Sequence, residues 1–148
     1  MDNPLVIFTL EKRRYALHLA IVERVFRIVE IDPLPQAPEI VTGVINVQGQ
    51  IIPVVNVRQR FRLPRCEISL NDQLIIAHTN QRKVGLVVDA VTDVIGYQEQ
   101  DIAVAGAILP GLEYVEGILK LPDGLVLIHD LDKFLSLEEE ASLARVLA

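Results

Sequence analysis

Apolar and polar residues alternate in short bursts along most of the chain, the period of half-buried strands rather than of helices. LVIFTL (5–10) and RYALHL (14–19) are β-rich runs split by the charged turn Glu11-Lys12-Arg13, and Tyr15, Leu17 and Leu19 alternate as one buried face requires. The three prolines of IDPLPQAP (31–38) forbid regular structure. GVINV and QIIPVVN then read as a hairpin turned at Gln48-Gly49, with Pro53 at a bend or an edge where no ladder donor is needed. QLIIAH (73–78) and KVGLVVD (83–89) meet at Asn80-Gln81, and YVEGILKL and GLVLIHD flank the turn Pro122-Asp123-Gly124. Helices are few. VRQRF (57–61) and DLDKFL (130–135) have room for a turn or two. SLEEEASLARVLA (136–148) carries a capping-box spacing at Ser136 and Glu139, and its acids Glu138 to Glu140 suit a helix N-terminus.

The pattern repeats. YALHLAIVERVF (15–26) aligns without gaps on VGLVVDAVTDVI (84–95), an offset of 69 residues, and GVINVQGQIIPVVNVRQRF (43–61) resembles GILKLPDGLVLIHDLDKFL (117–135), an offset of 74. Both copies of the second block run glycine, apolar strand, glycine turn, apolar strand, short helix. Two matches in the same order predict two similar halves of about five short strands. Five strands are too few for a stable open sheet and enough to curl into a small barrel.

Composition narrows the function. The 148 residues include 51% hydrophobic positions, ample for a packed interior, but only 5% aromatics and no Trp, with a net charge of −6. A stacking groove for single-stranded nucleic acid and a general phosphate-binding role are both disfavoured. The single cysteine, Cys66, cannot form an internal disulfide and fits a reducing compartment. The N-terminus lacks the basic region and long apolar run of a signal peptide, and no apolar run is long enough to span a membrane, so a cytoplasmic protein is expected.

The segment LPQAPEIVTGVINVQGQIIPVVNVRQRF resembles the most characteristic stretch of CheW-like domains, whose pattern reads roughly LPxAPxxxxGVxNLRGxIxPVxDLRxxF. VIFTL and YALHL near the start, VGLVVDAVTDV in the middle and LVLIHDLDKFL near the end extend the resemblance over nearly the whole chain. It implies a mainly β fold: two small five-stranded SH3-like barrels in pseudo-twofold relation around a shared core. One would hold residues 11–82 and the other 1–10 plus 83–135, with a C-terminal helix at 136–148. It also implies a non-catalytic adaptor that couples the cytoplasmic tips of membrane chemoreceptors to the regulatory domain of a CheA-type histidine kinase, at arrays on the inner membrane. No cofactor or metal is implied. The family's contact surface maps onto Val22, Arg24, Gly43, Val44, Gln48, Gly49, Ile51 and Arg58. The chain departs from the family there: Arg24 stands where a glutamate is usual, Gln48 where an arginine is usual, and Asn56-Val57-Arg58 where Asp-Leu-Arg is usual. These departures favour an alternative chemosensory system, such as pilus motility or biofilm formation.

Other residues suggest other chemistry. Cys66, flanked by Pro64-Arg65 and Glu67, could pair with His18, His78 or His129 as a thiol nucleophile or metal site, though nothing supplies an oxyanion site. Asp130 and Asp132, two residues apart, diverge on a helix and do not converge on a metal; Asp130 reads better as an N-cap. Arg58, Arg60, Arg62 and Arg65 concentrate positive charge that would suit an acidic protein partner. A third reading is a small ligand held in the cleft between the halves.

Overall fold

The computed structural model describes residues 2–64, 66–104 and 114–147. Eleven strands make up nearly half of it: β1 (Leu5–Leu10), β2 (Arg13–His18), β3 (Val22–Arg27), β4 (Val41–Val47), β5 (Gln50–Val55), β6 (Gln73–His78), β7 (Lys83–Val88), β8 (Ala90–Ile95), β9 (Ile102–Val104), β10 (Val115–Leu121) and β11 (Gly124–His129). Helices are α1 (Val57–Arg60) and α2 (Leu137–Leu147), with single 3-10 turns at Leu19–Ile21, Glu99–Asp101 and Leu131–Lys133.

The strands form two curled sheets. Barrel one has the order β8-β1-β2-β11-β10-β9, and barrel two the order β3-β6-β7-β5-β4. Position by position the orders match, β8 with β3, β1 with β6, β2 with β7, β11 with β5 and β10 with β4. Even the parallel pair recurs, β11 beside β2 and β5 beside β7. β10 and β4 share one burial sequence along their seven residues. The duplication read from spacing is therefore physical. Barrel one has six strands rather than five because β9 pairs with β10 over three residues, where barrel two has only the bridge Asp32 to Val44.

The expected partition of the chain needs correction. Barrel two spans 22–88, and barrel one takes 5–18 plus 90–129. The β1–β2 connection explains the difference: Glu11 and Lys12 both adopt positive φ, 50° and 67°. A two-residue turn of that kind matches the right-handed twist of the strands it joins. The chain therefore folds straight back, β2 pairs with β1 from Arg13 to His18, and it crosses to the other barrel only at the 3-10 turn 19–21.

β3 and β8 were not evident as strands in the sequence. Each carries a register shift against its neighbour, at Glu23 and at Thr92, and each exposes three consecutive residues, 23–25 and 92–94, so alternation is lost. Pro53 lies inside the central strand β5, but β7 joins that strand only from Val54 onward, so the proline occupies a locally edge-like place.

Each barrel has a small interior cluster, Leu5, Ile7, Leu119, Val126 and Ile128 in barrel one, and Leu74, Ile76, Ile45, Ile52 and Val54 at the equivalent places in barrel two. The largest cluster lies between them. Phe8, Leu10, Tyr15 and Leu17 meet Ile40, Val55, Ile75, Val84 and Leu86 there, and Leu143 of α2 joins them. The two halves thus share one core, and α2 seals it. Ser136 and Glu139 form the reciprocal capping box that starts this helix, at 2.9 and 3.1 Å. Ion pairs from Arg60 to Glu139 and from Arg82 to Glu140 (2.5 Å) hold it against barrel two.

Candidate protein-interaction groove

Barrel two presents a groove of about 260 Å³ between β3 and the β4–β5 turn. The bulge in β3 turns Glu23, Arg24 and Val25 all outward. Opposite, Gln48 and Gly49 take φ of 51° and 85°, and Asn46 Oδ1 accepts the Gly49 N–H at 2.8 Å, which fixes the turn. Ile52 and Ile76 floor the groove, with Val47 beside them. Lys83 closes one side, 3.3 Å from the Glu23 carboxylate and within hydrogen-bond reach of Gln50. Glu23 and Lys83 cancel. Arg24 has no ion-pair partner among the described residues, so the groove carries one uncompensated positive charge above an apolar floor.

The residues expected to contact partners divide into three groups. Arg24 and Gln48 line this groove together, and Gly49 and the exposed Ile51 continue the same hairpin end. Val22, Gly43 and Val44 are its framework. Val22 packs on the shared core, Gly43 is buried, and Val44 bridges Asp32. Arg58 lies elsewhere, at the seam between barrels, where it is held by Glu11 and by Asp89 at 2.5 Å. Burial alone would lower its pKa; hydrogen bonds to those two carboxylates more than offset this and raise it. Lys83, Glu23 and the Ile76 floor join the groove without having been marked as site residues by the sequence pattern. The repeat contained a signal for Lys83, since an offset of 69 sets it on Arg14, another base in an equivalent place.

The basic run is mostly spent internally. Besides Arg58, Arg60 pairs with Glu139, donates to the Phe134 carbonyl at 2.7 Å and sits over the Tyr114 and Phe134 rings. Arg62 is exposed, and Arg65 lies outside the described residues. This structural use of Arg58 and Arg60 replaces the expected surface for an acidic partner.

The catalytic alternatives find no assembled site. Cys66 is exposed, and its hydrogen bond goes to the Glu67 carbonyl. His18 pairs with Glu116 at 2.6 Å on barrel one, while His78 ends β6. His129 is fully buried between the Phe61 and Phe134 rings, neither ring nitrogen has a hydrogen-bond partner among the described residues, and burial lowers its pKa to about 3. Among the described residues no three His, Cys, Asp or Glu side chains converge as metal ligands. Asp130 precedes the 131–133 turn without capping it through its side chain; its carboxylate faces Lys133 at 3.8 Å instead. Asp132 accepts the Asn80 N–H at 2.8 Å and so ties the barrels together. A pocket of about 130 Å³ lies between barrel two and the segment 131–140, and a wider, open hollow of about 660 Å³, lined by Glu39, Asn56, Arg58, Cys66 and Asp89, lies beside the seam. No helix among the described residues is long and apolar enough to cross a membrane.

The CheW-like domain family matches residues 4–139. The chain belongs to the CheW-like family. It is 30% identical over 138 residues to the chemotaxis protein CheW of Klebsiella aerogenes, covering 92% of this chain and 83% of that protein. It is 26% identical over 148 residues to the CheW of Treponema pallidum, covering 96% and 87%. The crystal structure of the scaffolding protein TtCheW from Thermoanaerobacter tengcongensis superposes with a TM-score of 0.85 at 32% identity, over 94% of this chain and 96% of that one. Matches that run nearly end to end in both directions cover the barrels, the groove and the seam alike. They give no support to a thiol or metal enzyme.

Proposed function

We propose that this CheW-like protein is a non-catalytic scaffold of a bacterial chemosensory complex, coupling the cytoplasmic tips of chemoreceptors to the regulatory domain of a CheA-type histidine kinase. The observation that carries the reading is the groove at Arg24 and Gln48, in a chain that matches the CheW-like family along nearly its whole length. A preformed apolar floor with a polar rim is the anatomy of a protein contact, in which a desolvated centre supplies affinity and rim charges supply choice.

The mechanism is bivalency. Two barrels joined by one core present surfaces at fixed separation, so a chain bound to a receptor raises the local concentration of kinase without new chemistry. On this reading the protein works in the cytoplasm, at receptor arrays on the inner membrane. Arg24 and Gln48 differ from the family's usual glutamate and arginine, which supports service in an alternative chemosensory system. Capture of partners from a cell extract with the tagged protein, read by mass spectrometry, tests the reading. A CheA-type kinase and a chemoreceptor are expected, and their absence would reject it.

A further inference from the structure

The pocket of about 130 Å³ beside α2 takes no part in the coupling just described. Val55, Val84, Leu131 and Phe134 give it an apolar wall of buried side chains. The only charged residues on its lining are Asp132 and Glu140, both acids. Glu140 is neutralised by Arg82 at 2.5 Å. Asp132 accepts the Asn80 N–H at 2.8 Å through one carboxylate oxygen and has no ion-pair partner among the described residues. Leu137 stands at the mouth, 92% exposed, and carries the apolar surface outward. The duplication shows how unusual this carboxylate is. The offset of 74 sets Asp132 where Arg58 stands, and the offset of 69 sets Asn80 where Glu11 stands. In the first half the chain supplies a cation and an acid, and Arg58 pairs with Glu11. In the second half it supplies an acid and a neutral amide, so the Asp132 charge is left unmatched beside an apolar wall.

We propose that this pocket binds a small aliphatic ammonium or guanidinium compound free in solution, with its cationic head on Asp132 and its stem against Val55, Val84 and Leu131. Charge complementarity chooses the class. An anion would meet two carboxylates. A neutral molecule would take water from Asp132 without giving it a counter-charge. A monocation supplies the missing charge through N–H groups that a carboxylate accepts strongly. Size limits the stem. An apolar cavity of about 150 Å³ takes a benzene-sized molecule, so this one takes a chain of about four or five carbons. The pocket is walled by both barrel two and α2, so the bound molecule would join them and give the scaffold a small-molecule input. The inference goes beyond kinase and receptor coupling and does not depend on it.

The test is a titration of the full chain, with its Val and Leu methyl groups labelled for NMR, against pentylammonium and butylguanidinium. Saturable shifts are expected at Val55, Val84 and Leu131, with a dissociation constant of about 1 mM or below. Pentanol and pentanoate, which keep the stem and change the charge, should bind at least tenfold more weakly. Asp132→Asn keeps an acceptor for Asn80 and should weaken the cations at least tenfold with unchanged melting temperature. Asp93→Asn, an exposed acid of β8 on barrel one, should leave their binding unchanged. No saturable shift, equal binding of the alcohol or the acid, equal binding by Asp132→Asn, or an equal loss in Asp93→Asn would each overturn the proposal. Binding confined to Nα-acetyl-arginine methylamide would make the pocket an anchor for a partner's side chain and overturn it too. Should Asp132→Asn fail to fold, the comparison of cation, alcohol and acid on the parent still decides. Since neither kinase nor receptor is present, these outcomes leave the coupling function separately testable.

Discussion

Gly43 and Gly117 occupy one position in the two barrels, and each is crossed at close range by the segment that closes its barrel. A β-carbon on Gly43 would overlap the carbonyl oxygen of Asp32, and one on Gly117 would lie 2.8 Å from the Ile102 side chain. Both follow a register shift at the start of their strand. Neither glycine is needed for an unusual φ; each is needed for space.

Alanine at either position therefore overpacks a barrel closure, at a cost of about 1–3 kcal/mol. Gly43→Ala should be the worse of the two, because its obstacle is backbone while that of Gly117 is a side-chain methyl able to shift. Urea midpoints for the two variants check the order. Equal, negligible shifts would contradict the closure described.

His129 gives the fold an acid sensitivity. Its folded pKa is about 3 against the usual 6.5, so between those values the unfolded chain binds a proton that the folded chain refuses. Stability should fall as pH drops through that window, by up to about 1.4 kcal/mol per pH unit from this residue. The counterpart of His129 in barrel two is Val55, which is also buried. His129→Leu should flatten the pH profile between 6 and 4 while keeping or raising stability at pH 7. Parallel profiles for variant and parent would show that His129 is not the source.

Arg58 separates stability from binding. Its side chain is 16% exposed and is held between Glu11 of the β1–β2 turn and Asp89 at the crossing to barrel one. Arg58→Ala should lower stability by about 1–3 kcal/mol through lost charge-assisted hydrogen bonds and leave partner affinity near that of the parent. Affinity lost without stability would return Arg58 to the contact surface.

The shared core predicts that neither barrel folds by itself. A fragment covering 20–89 holds every strand of barrel two, yet Ile40, Val55, Ile75, Val84 and Leu86 face the other barrel and would meet water. That exposure removes several side chains' burial, each of about 1.5–3 kcal/mol, from a domain whose total stability is about 5–15 kcal/mol. The fragment should show no cooperative thermal transition; a sharp one would mean the barrels are independent.

Much of the fold was legible because burial on one face writes a period of two, as in Tyr15 and Leu17, and because duplication wrote it twice. The departures have local causes. β3 and β8 were hidden by bulges that expose Glu23-Arg24-Val25 and Thr92-Asp93-Val94 together. The sheet assignment of β2 turned on positive φ at Glu11 and Lys12, residue types that do not advertise it. At the site, Arg24 and Gln48 could be named from the family pattern. Their meeting across one groove could not, since it depends on how barrel two closes, and the internal use of Arg58 and Arg60 depends on acids far away in the chain.

Arg24 and Gln48 should govern the choice of receptor rather than stability. Exposed charges of this kind contribute only about 0.2–1 kcal/mol to folding, whereas a like charge set against a partner's charge can cost several kcal/mol, as an order of magnitude. The double change Arg24→Glu with Gln48→Arg restores the residues usual in the family. It should shift preference toward a receptor that typical CheW proteins bind, with the melting temperature nearly unchanged. Equal binding of both receptors by parent, single and double variants would put these positions outside the contact.

The coupling function itself is tested most directly by titration calorimetry of this protein against the regulatory domain of the CheA-type kinase from the same genome. Binding with a stoichiometry of about one is expected, and it should be detectable at concentrations of roughly 100 μM even if the contact is weak and transient. No heat and no co-elution under those conditions would contradict the account.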